Sequence, residues 1–103
     1  MTLDEIRDTL AAIVPAIRHH RSEAVTAGYA YWDETRMLPF MADNAHQAGW
    51  AFVVHIYSPL ETDPDAEAMF AALTADPRIA FSYQTDYDRD TRLVHHIFDC
   101  EGY

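Results

Sequence analysis

The chain has 103 residues, of which 50% are apolar and 13% aromatic. This composition excludes a disordered segment and predicts one domain spanning residues 1–103 with a core of its own. Seventeen acidic residues outnumber seven basic ones, all of them arginine, so the net charge is −10 with histidine neutral. Such a charge repels nucleic acid and anionic lipid, which argues against direct binding to either.

The cysteine count and the first residues of the chain predict its cellular compartment. Cys100 is the single cysteine, so no internal disulfide can form and a reducing, cytoplasmic setting is expected. Asp4, Glu5 and Asp8 stand where a signal peptide would carry basic residues. The longest uncharged stretch, 44–60, contains histidines and a proline, so no membrane span is expected.

Two helices are predicted at the start of the chain. Thr2 and Glu5 form a capping box, and an apolar stripe with helical spacing follows. The stripe comprises Leu3, Ile6, Leu10, Ile13 or Val14, and Ile17. Pro15 interrupts it, which predicts a kink, or a break after which a second helix runs to about Ala27, with Gly28 as its C-cap.

The next segment is less regular. Residues 28–33 are aromatic without helical periodicity, and fit either a short edge strand or an ordered loop. Asp33 or Thr35 is expected to cap a third helix ending at Gly49. Its shared face would consist of Met37, Met41, Ala45 and Ala48.

The most apolar stretch is 50–57, with the sequence WAFVVHIY. Eight residues rich in β-branched and aromatic side chains, bounded by Gly49 and Ser58, favour a strand. Alternation places one set of side chains on a covered face and the other on a partly covered face. The first set is Trp50, Phe52, Val54 and Ile56; the second is Ala51, Val53, His55 and Tyr57.

A further helix and two strands complete the chain. Asp63 is a good N-cap, Pro64 suits the first helical position, and Asp76-Pro77 ends the helix. Its apolar stripe is Ala66, Met69, Phe70 and Leu73. Period-2 alternation predicts strands at 79–84 and 92–100, joined by an acidic turn at 86–90.

The resulting fold prediction is a small single α+β domain. N-terminal helices are followed by a β-α-β-β order that forms a three-stranded mixed sheet with helices on one face. A helical crossover makes the first two strands parallel, and the last strand is antiparallel and could lie between them, as in a split βαβ unit.

No catalytic, metal or cofactor site is predicted. The acidic run from Asp86 begins like a calcium loop but has Thr91 and Ile97 where glycine and glutamate are required. His19 and Glu23 would be one helical turn apart, with His20 pointing elsewhere, but no zinc spacing is present.

A histidine-based alternative is open. His55 could face His95 or His96 on a neighbouring strand, which would suit a small ligand- or metal-binding enzyme. The incompletely covered face with Val53, His55 and Tyr57 predicts a homodimer or a partner contact. The absence of any nucleophile motif favours a role without catalysis.

The predicted partner-binding surface combines tyrosines with carboxylates. Tyrosine anchors ringed by acids suit an arginine- and lysine-rich protein surface, with aromatics giving affinity and acids giving speed of association. Its residues are Tyr83, Asp86, Tyr87, Asp88 and Asp90 in one segment and Glu61, Asp63, Asp65 and Glu67 in the other.

In being short, acidic and lysine-free, the chain is like immunity proteins, antitoxins and anti-CRISPR inhibitors as a class. The function predicted from the sequence is therefore an acidic inhibitor that docks on a nuclease or another cationic nucleic-acid-binding protein. Its acidic face could act there as a mimic of nucleic acid.

Overall fold

The computed structural model describes residues 1–20, 28–38 and 49–103, which form two helices and five strands. In chain order these are α1 (Leu3–Ile13), β1 (Arg18–His19), β2 (Tyr29–Met37), β3 (Trp50–Ser58), α2 (Pro64–Ala75), β4 (Ile79–Asp88) and β5 (Leu93–Gly102). The α+β class agrees with the sequence, whereas the prediction of a three-stranded sheet is wrong.

The five strands form one mixed sheet in the order β1-β2-β3-β5-β4. β5 pairs antiparallel with both β3 and β4, so β3 and β4 run parallel to each other on either side of it. This part has the expected split βαβ arrangement. The two additional strands, β1 and β2, extend the sheet on the other side of β3.

The first helix begins as expected. The amide of Glu5 donates to Thr2 Oγ1 and the amide of Thr2 donates to Glu5 Oε1, which completes the capping box. The helix ends at its C-cap Val14, directly before Pro15. A proline cannot continue the hydrogen-bond ladder and disfavours helical backbone in the residue before it.

The second predicted helix is wrong where the structure describes it. Pro15 and Ala16 form a turn, and Arg18–His19 then forms β1, which pairs parallel with β2. Residues 21–27 lie outside the described residues, as does any helix that Gly28 would end. Gly28 itself has a φ of 110° and leads directly into β2.

β2 replaces both the undecided segment and the start of the third predicted helix. Tyr29–Met37 pairs antiparallel with β3 along its length, from Tyr29 opposite Tyr57 to Met37 opposite Trp50. A register shift between Glu34 and Arg36 breaks the alternation of side chains, which is why the sequence lacks a clear period of two here. The rest of the predicted helix, 39–48, lies outside the described residues.

The core lies between the helices and one face of the sheet, as predicted. Phe52, Val54 and Ile56 of β3 are buried there, while Trp50 is half-buried at the edge of the core. The helices contribute Ile6 and Leu10 from α1 and Ala66, Met69 and Leu73 from α2, and the neighbouring strands contribute Trp32, Phe98 and Cys100. Among the described residues, no helix is both long and apolar enough to cross a membrane.

Candidate protein-binding surface

The two acidic segments that the sequence assigned to partner binding lie side by side. Glu61, just before α2, lines one surface hollow with Asp86 and Tyr87 of β4. It also lines a second hollow with Glu67 and Tyr83. We call this region the acidic–aromatic surface. It consists of Leu60, Glu61, Glu67, Phe70, Tyr83, Asp86 and Tyr87.

Large apolar side chains are exposed on this surface. Tyr87 is 55% exposed, Phe70 46% and Tyr83 40%, and Leu60 beside them is 57% exposed. The Phe70 ring contacts the rings of Tyr83 and Phe81 edge-on, with centroids 5.6 and 5.4 Å apart. Edge-to-face contacts of this kind hold aromatic side chains in place. The surface therefore presents positioned rings to the solvent.

Phe70 corrects one sequence prediction. Its spacing placed it in the buried stripe of α2 with Ala66, Met69 and Leu73, and those three are indeed buried. Phe70 lies at the side of that stripe, where α2 meets the exposed part of β4. A stripe at helical spacing is wider than the line of contact with the sheet, so its flank can remain in solvent.

A buried histidine positions Tyr83. His96 of β5 is 0% exposed, with Nδ1 2.8 Å from the Tyr83 hydroxyl and Nε2 3.4 Å from the Leu60 carbonyl oxygen. The carbonyl can only accept, so Nε2 carries the proton and Nδ1 accepts from the Tyr83 hydroxyl. Burial raises the pKa of Tyr83, which keeps that hydroxyl protonated as a donor.

Asp63 and Asp65 lie at the edge of the surface, and Asp63 has a structural role. Its Oδ2 accepts from the Ala66 amide at 3.0 Å and its Oδ1 accepts from the Ser58 hydroxyl at 2.9 Å. Both oxygens are thus engaged in capping α2 and fixing the end of β3, as the N-cap prediction requires. Asp65 lies in the exposed first turn of α2 and lines a different hollow with Asp63 and Tyr57.

The acidic run after Tyr83 differs from the expected turn. β4 extends to Asp88, so Asp86 and Asp88 belong to a strand and only Asp90 lies in the turn. Tyr87 pairs with Val94 on the helix-covered face, whereas Asp86 pairs with His95 on the opposite face. Alternation along the strand therefore divides the predicted set between two faces, although Asp86 and Tyr87 both line the hollow beside Glu61.

The arginines that form ion pairs lie away from the acidic–aromatic surface. Among the described residues, Arg7 pairs with Asp4 and Asp8, Arg78 with Glu5 and Asp76, and Arg36 with Glu101. Within residues 1–20, 28–38 and 49–103, no ion pair includes a carboxylate of the acidic–aromatic surface. Those carboxylates are not neutralised by the part of the chain that the structure describes.

The opposite face carries the histidine pair considered in the alternative hypothesis. His55 Nδ1 and His95 Nε2 are 2.7 Å apart, which confirms that His55 faces His95, while His96 points to the other face. Burial and then the nearby His55 lower the pKa of His95 to about 4, against the opposing effects of Asp86 and Asp88 and with a small further lowering by His96. His95 is therefore neutral near pH 7, and an enzymatic role for the pair stays a prediction.

Cys100 is a poor candidate for a nucleophile in the folded protein. Its side chain is buried in the core, and burial raises the pKa of its thiol to about 12. The thiolate, which is the reactive form of cysteine, is then scarce near neutral pH.

Sequence reasoning missed two residues of the surface, Leu60 and Phe70, and the buried His96 that positions Tyr83. His96 offered the clearest signal, because its strand position places it on the same face as Phe98 and Cys100. A polar side chain on a covered face must find hydrogen-bond partners, and here one of them is the tyrosine that the surface exposes.

No protein-family model matches the chain, and no curated protein matches it.

Proposed function

We propose that this protein is a small acidic inhibitor that docks through its acidic–aromatic surface onto a cationic protein, a nuclease or another nucleic-acid-binding protein. The observation that carries the proposal is the adjacency of exposed rings and unneutralised carboxylates. Tyr87, Phe70 and Tyr83 are each at least 40% exposed, and Glu61 lines the hollows that join them.

The exposed rings supply the binding energy of such an interface. Aromatic side chains are enriched at the centre of protein interfaces, where burial against a partner contributes most to affinity. Tyr83 and Phe70 need little ordering on binding, because ring contacts and the His96 hydrogen bond already position them. Positioned anchors lower the entropy cost of association.

The carboxylates select the partner by charge. With a net charge of −10 and its described ion pairs away from this surface, the protein attracts arginine- and lysine-rich surfaces over long distances. Surfaces of that kind belong above all to proteins that bind the phosphate backbone of nucleic acids. Occupying such a surface would exclude the nucleic acid, which is how docking would become inhibition. The cytoplasmic location expected from the single cysteine is part of the same proposal.

The test is affinity capture from the native host lysate with matched variants as bait. In the surface variant Glu61, Glu67 and Asp86 are replaced by lysine. In the control variant the exposed Asp4, Asp8 and Asp99, outside this surface, are replaced by lysine, so the net charge changes equally. The wild type and the control should retain a cationic protein that the surface variant loses.

The captured protein is then assayed for nucleic-acid binding or cleavage with increasing wild-type inhibitor. Activity should fall with the wild type and the control variant and persist with the surface variant. The proposal is contradicted if both triple variants retain or lose the captured protein equally. It is also contradicted if that protein still binds or cleaves nucleic acid when saturated with the wild-type inhibitor.

A further inference from the structure

A second cluster of side chains lies at the β1 edge of the sheet, away from the acidic–aromatic surface. The potential ligand atoms of His19, His20 and Glu34 all lie within 4.8 Å of one another. His19 Nε2 is 2.5 Å from Glu34 Oε2, and His20 Nδ1 is 2.9 Å from Asp33 Oδ1. Two imidazoles and two carboxylates thus meet where β1 and β2 pair.

The sequence did not predict this cluster because it placed both histidines on a helix, where adjacent residues point in different directions. In the structure His19 belongs to β1, and His20 follows with a φ of 69°. That left-handed backbone brings the two imidazole rings together, stacked with centroids 3.8 Å apart. A positive φ outside glycine is uncommon and is often found at functional sites.

The cluster packs against a buried side chain of β2. The His19 ring stacks on Trp32, whose side chain is 1% exposed, with centroids 4.0 Å apart. The His20 amide donates to the Trp32 carbonyl at 2.8 Å. Both histidines are therefore held by a core residue of β2, the strand that also supplies Glu34.

The donor set is one that transition metals use. Two imidazole nitrogens and one carboxylate oxygen form the three-ligand set of open zinc sites, with further positions for water. Tetrahedral ligands at metal bonds of about 2.1 Å lie roughly 3.4 Å apart. The His19–Glu34 contact is shorter than this and all the ligand atoms lie within 4.8 Å of one another, so small rotamer changes of solvent-accessible side chains would fit a single ion.

Asp33 is hydrogen-bonded to one of the proposed ligand histidines and can fix its orientation. A carboxylate that binds one nitrogen of a ligand histidine fixes its ring orientation and leaves the other nitrogen to coordinate metal. Asp33 is so placed at His20 Nδ1, which leaves Nε2 for coordination.

Charge and access also suit a cation. Asp33 and Glu34 form ion pairs only with His20 and His19 among the described residues, and no arginine there competes for them. The His20 side chain is 62% exposed and that of Glu34 25%, so an ion can enter from solvent.

We propose that His19, His20 and Glu34 form a binding site for a divalent transition-metal ion of the zinc type, with Asp33 orienting His20. The site is independent of the proposed inhibitor function. Without metal the same side chains join β1 to β2 through two histidine–carboxylate pairs.

The test is calorimetric titration of tag-free protein with Zn²⁺, together with Co²⁺ absorption spectra. We expect about one ion per chain, and Glu34→Gln and His19→Gln should each weaken binding more than about tenfold. The controls are His95→Gln and Glu101→Gln, which remove a histidine and a carboxylate elsewhere in the sheet and should leave the affinity unchanged. Circular dichroism confirms that each variant is folded.

A measurement on the wild type makes the test independent of variant folding. Addition of substoichiometric Co²⁺ should shift or broaden amide resonances of residues 18–20 and 32–35 first in a ¹⁵N NMR spectrum. If no ion binds, if binding is unchanged by both Glu34→Gln and His19→Gln, or if the perturbed amides lie elsewhere, the four side chains are structural ion pairs only and the proposal is overturned.

Discussion

At the scale of single residues, His95 and His96 show how one step along a strand changes chemistry. His96 faces the helices, where it is buried and hydrogen-bonded to the Leu60 carbonyl, so its role is structural. His95 faces the other side, stacks on Tyr57 with centroids 4.1 Å apart and approaches His55. Burial there opposes its protonation, which links the stability of the fold to pH.

We expect acidification to destabilise the protein through His95. In the unfolded chain the imidazole takes up a proton near pH 6.5, whereas in the folded protein its pKa is about 4. The unfolded state therefore binds more protons between these values, and stability falls as the pH drops through this window. Between about pH 7.5 and about pH 5 the loss should be on the order of 2 kcal/mol.

Urea denaturation of the wild type and His95→Gln at several pH values tests this. The variant should lose less stability on acidification, although carboxylates protonate in both proteins. Equal pH dependence in the two proteins would show that His95 does not oppose protonation in the folded state.

A second residue-scale prediction concerns close backbone packing at Gly49. A Cβ atom there would lie 2.1 Å from the carbonyl oxygen of Gly102 and 2.8 Å from Leu38 Cδ1. Because the nearer group is backbone, Gly49→Ala must displace β5 and should lower the free energy of unfolding by about 3 kcal/mol.

Gly102→Ala is the matched control, measured by the same urea denaturation. Its Cβ would first meet side chains, Met1 Sδ at 3.0 Å and Phe52 Cε1 at 3.2 Å, which can move more easily than backbone. It should cost less than Gly49→Ala, and the reverse order would mean that the strand ends are not packed as described.

At the scale of secondary-structure elements, β3 is the centre of the fold. It pairs antiparallel with β2 on one side and β5 on the other, and its two faces differ sharply in environment. Val54 is 0% exposed between Trp32 and Phe98, whereas the adjacent Val53 is half-buried on the opposite face.

The register of β3 predicts opposite results for two adjacent isosteric substitutions. Val54→Thr places a hydroxyl in the core and should lower the free energy of unfolding by about 1–3 kcal/mol, because the hydroxyl loses its water partners. Val53→Thr should cost less than about 1 kcal/mol, since its face is partly hydrated. Thermal or urea denaturation measures both, and equal costs would place the wrong face of β3 in the core.

At the scale of the whole molecule, net charge and exposed aromatic rings affect different steps of the proposed binding. The excess of carboxylates acts over long distances and controls how fast a cationic partner arrives. The rings act only on contact and control how long it stays.

The proposed complex should therefore respond differently to salt and to ring removal. The association rate constant should fall by roughly tenfold or more as salt rises from about 0.05 M to about 0.5 M, because the screening length becomes short. Tyr87→Ala should mainly raise the dissociation rate constant. Stopped-flow or surface-based kinetics with the captured partner measures both, and an association rate indifferent to salt would contradict electrostatic steering.

The sequence by itself determined the elements whose signals are local. The Thr2 capping box, the helix after Asp63 and the apolar run at 50–57 each appear as predicted, since caps and periodicity act within a few residues. The β-α-β-β order also predicted that β3 and β4 are parallel if they share a sheet, and they do, since both pair antiparallel with β5.

Tertiary structure decided everything that depends on pairing between distant segments. β1 and β2 carry weak local signals; β2 is a strand because β3 offers its backbone groups partners, and β1 is one because it pairs with β2 in turn. The same pairing brought His19, His20 and Glu34 together, and packing of α2 beside β4 joined Glu61 to Tyr83 and Tyr87. Such contacts join residues far apart in the chain, so only the folded chain could place them together.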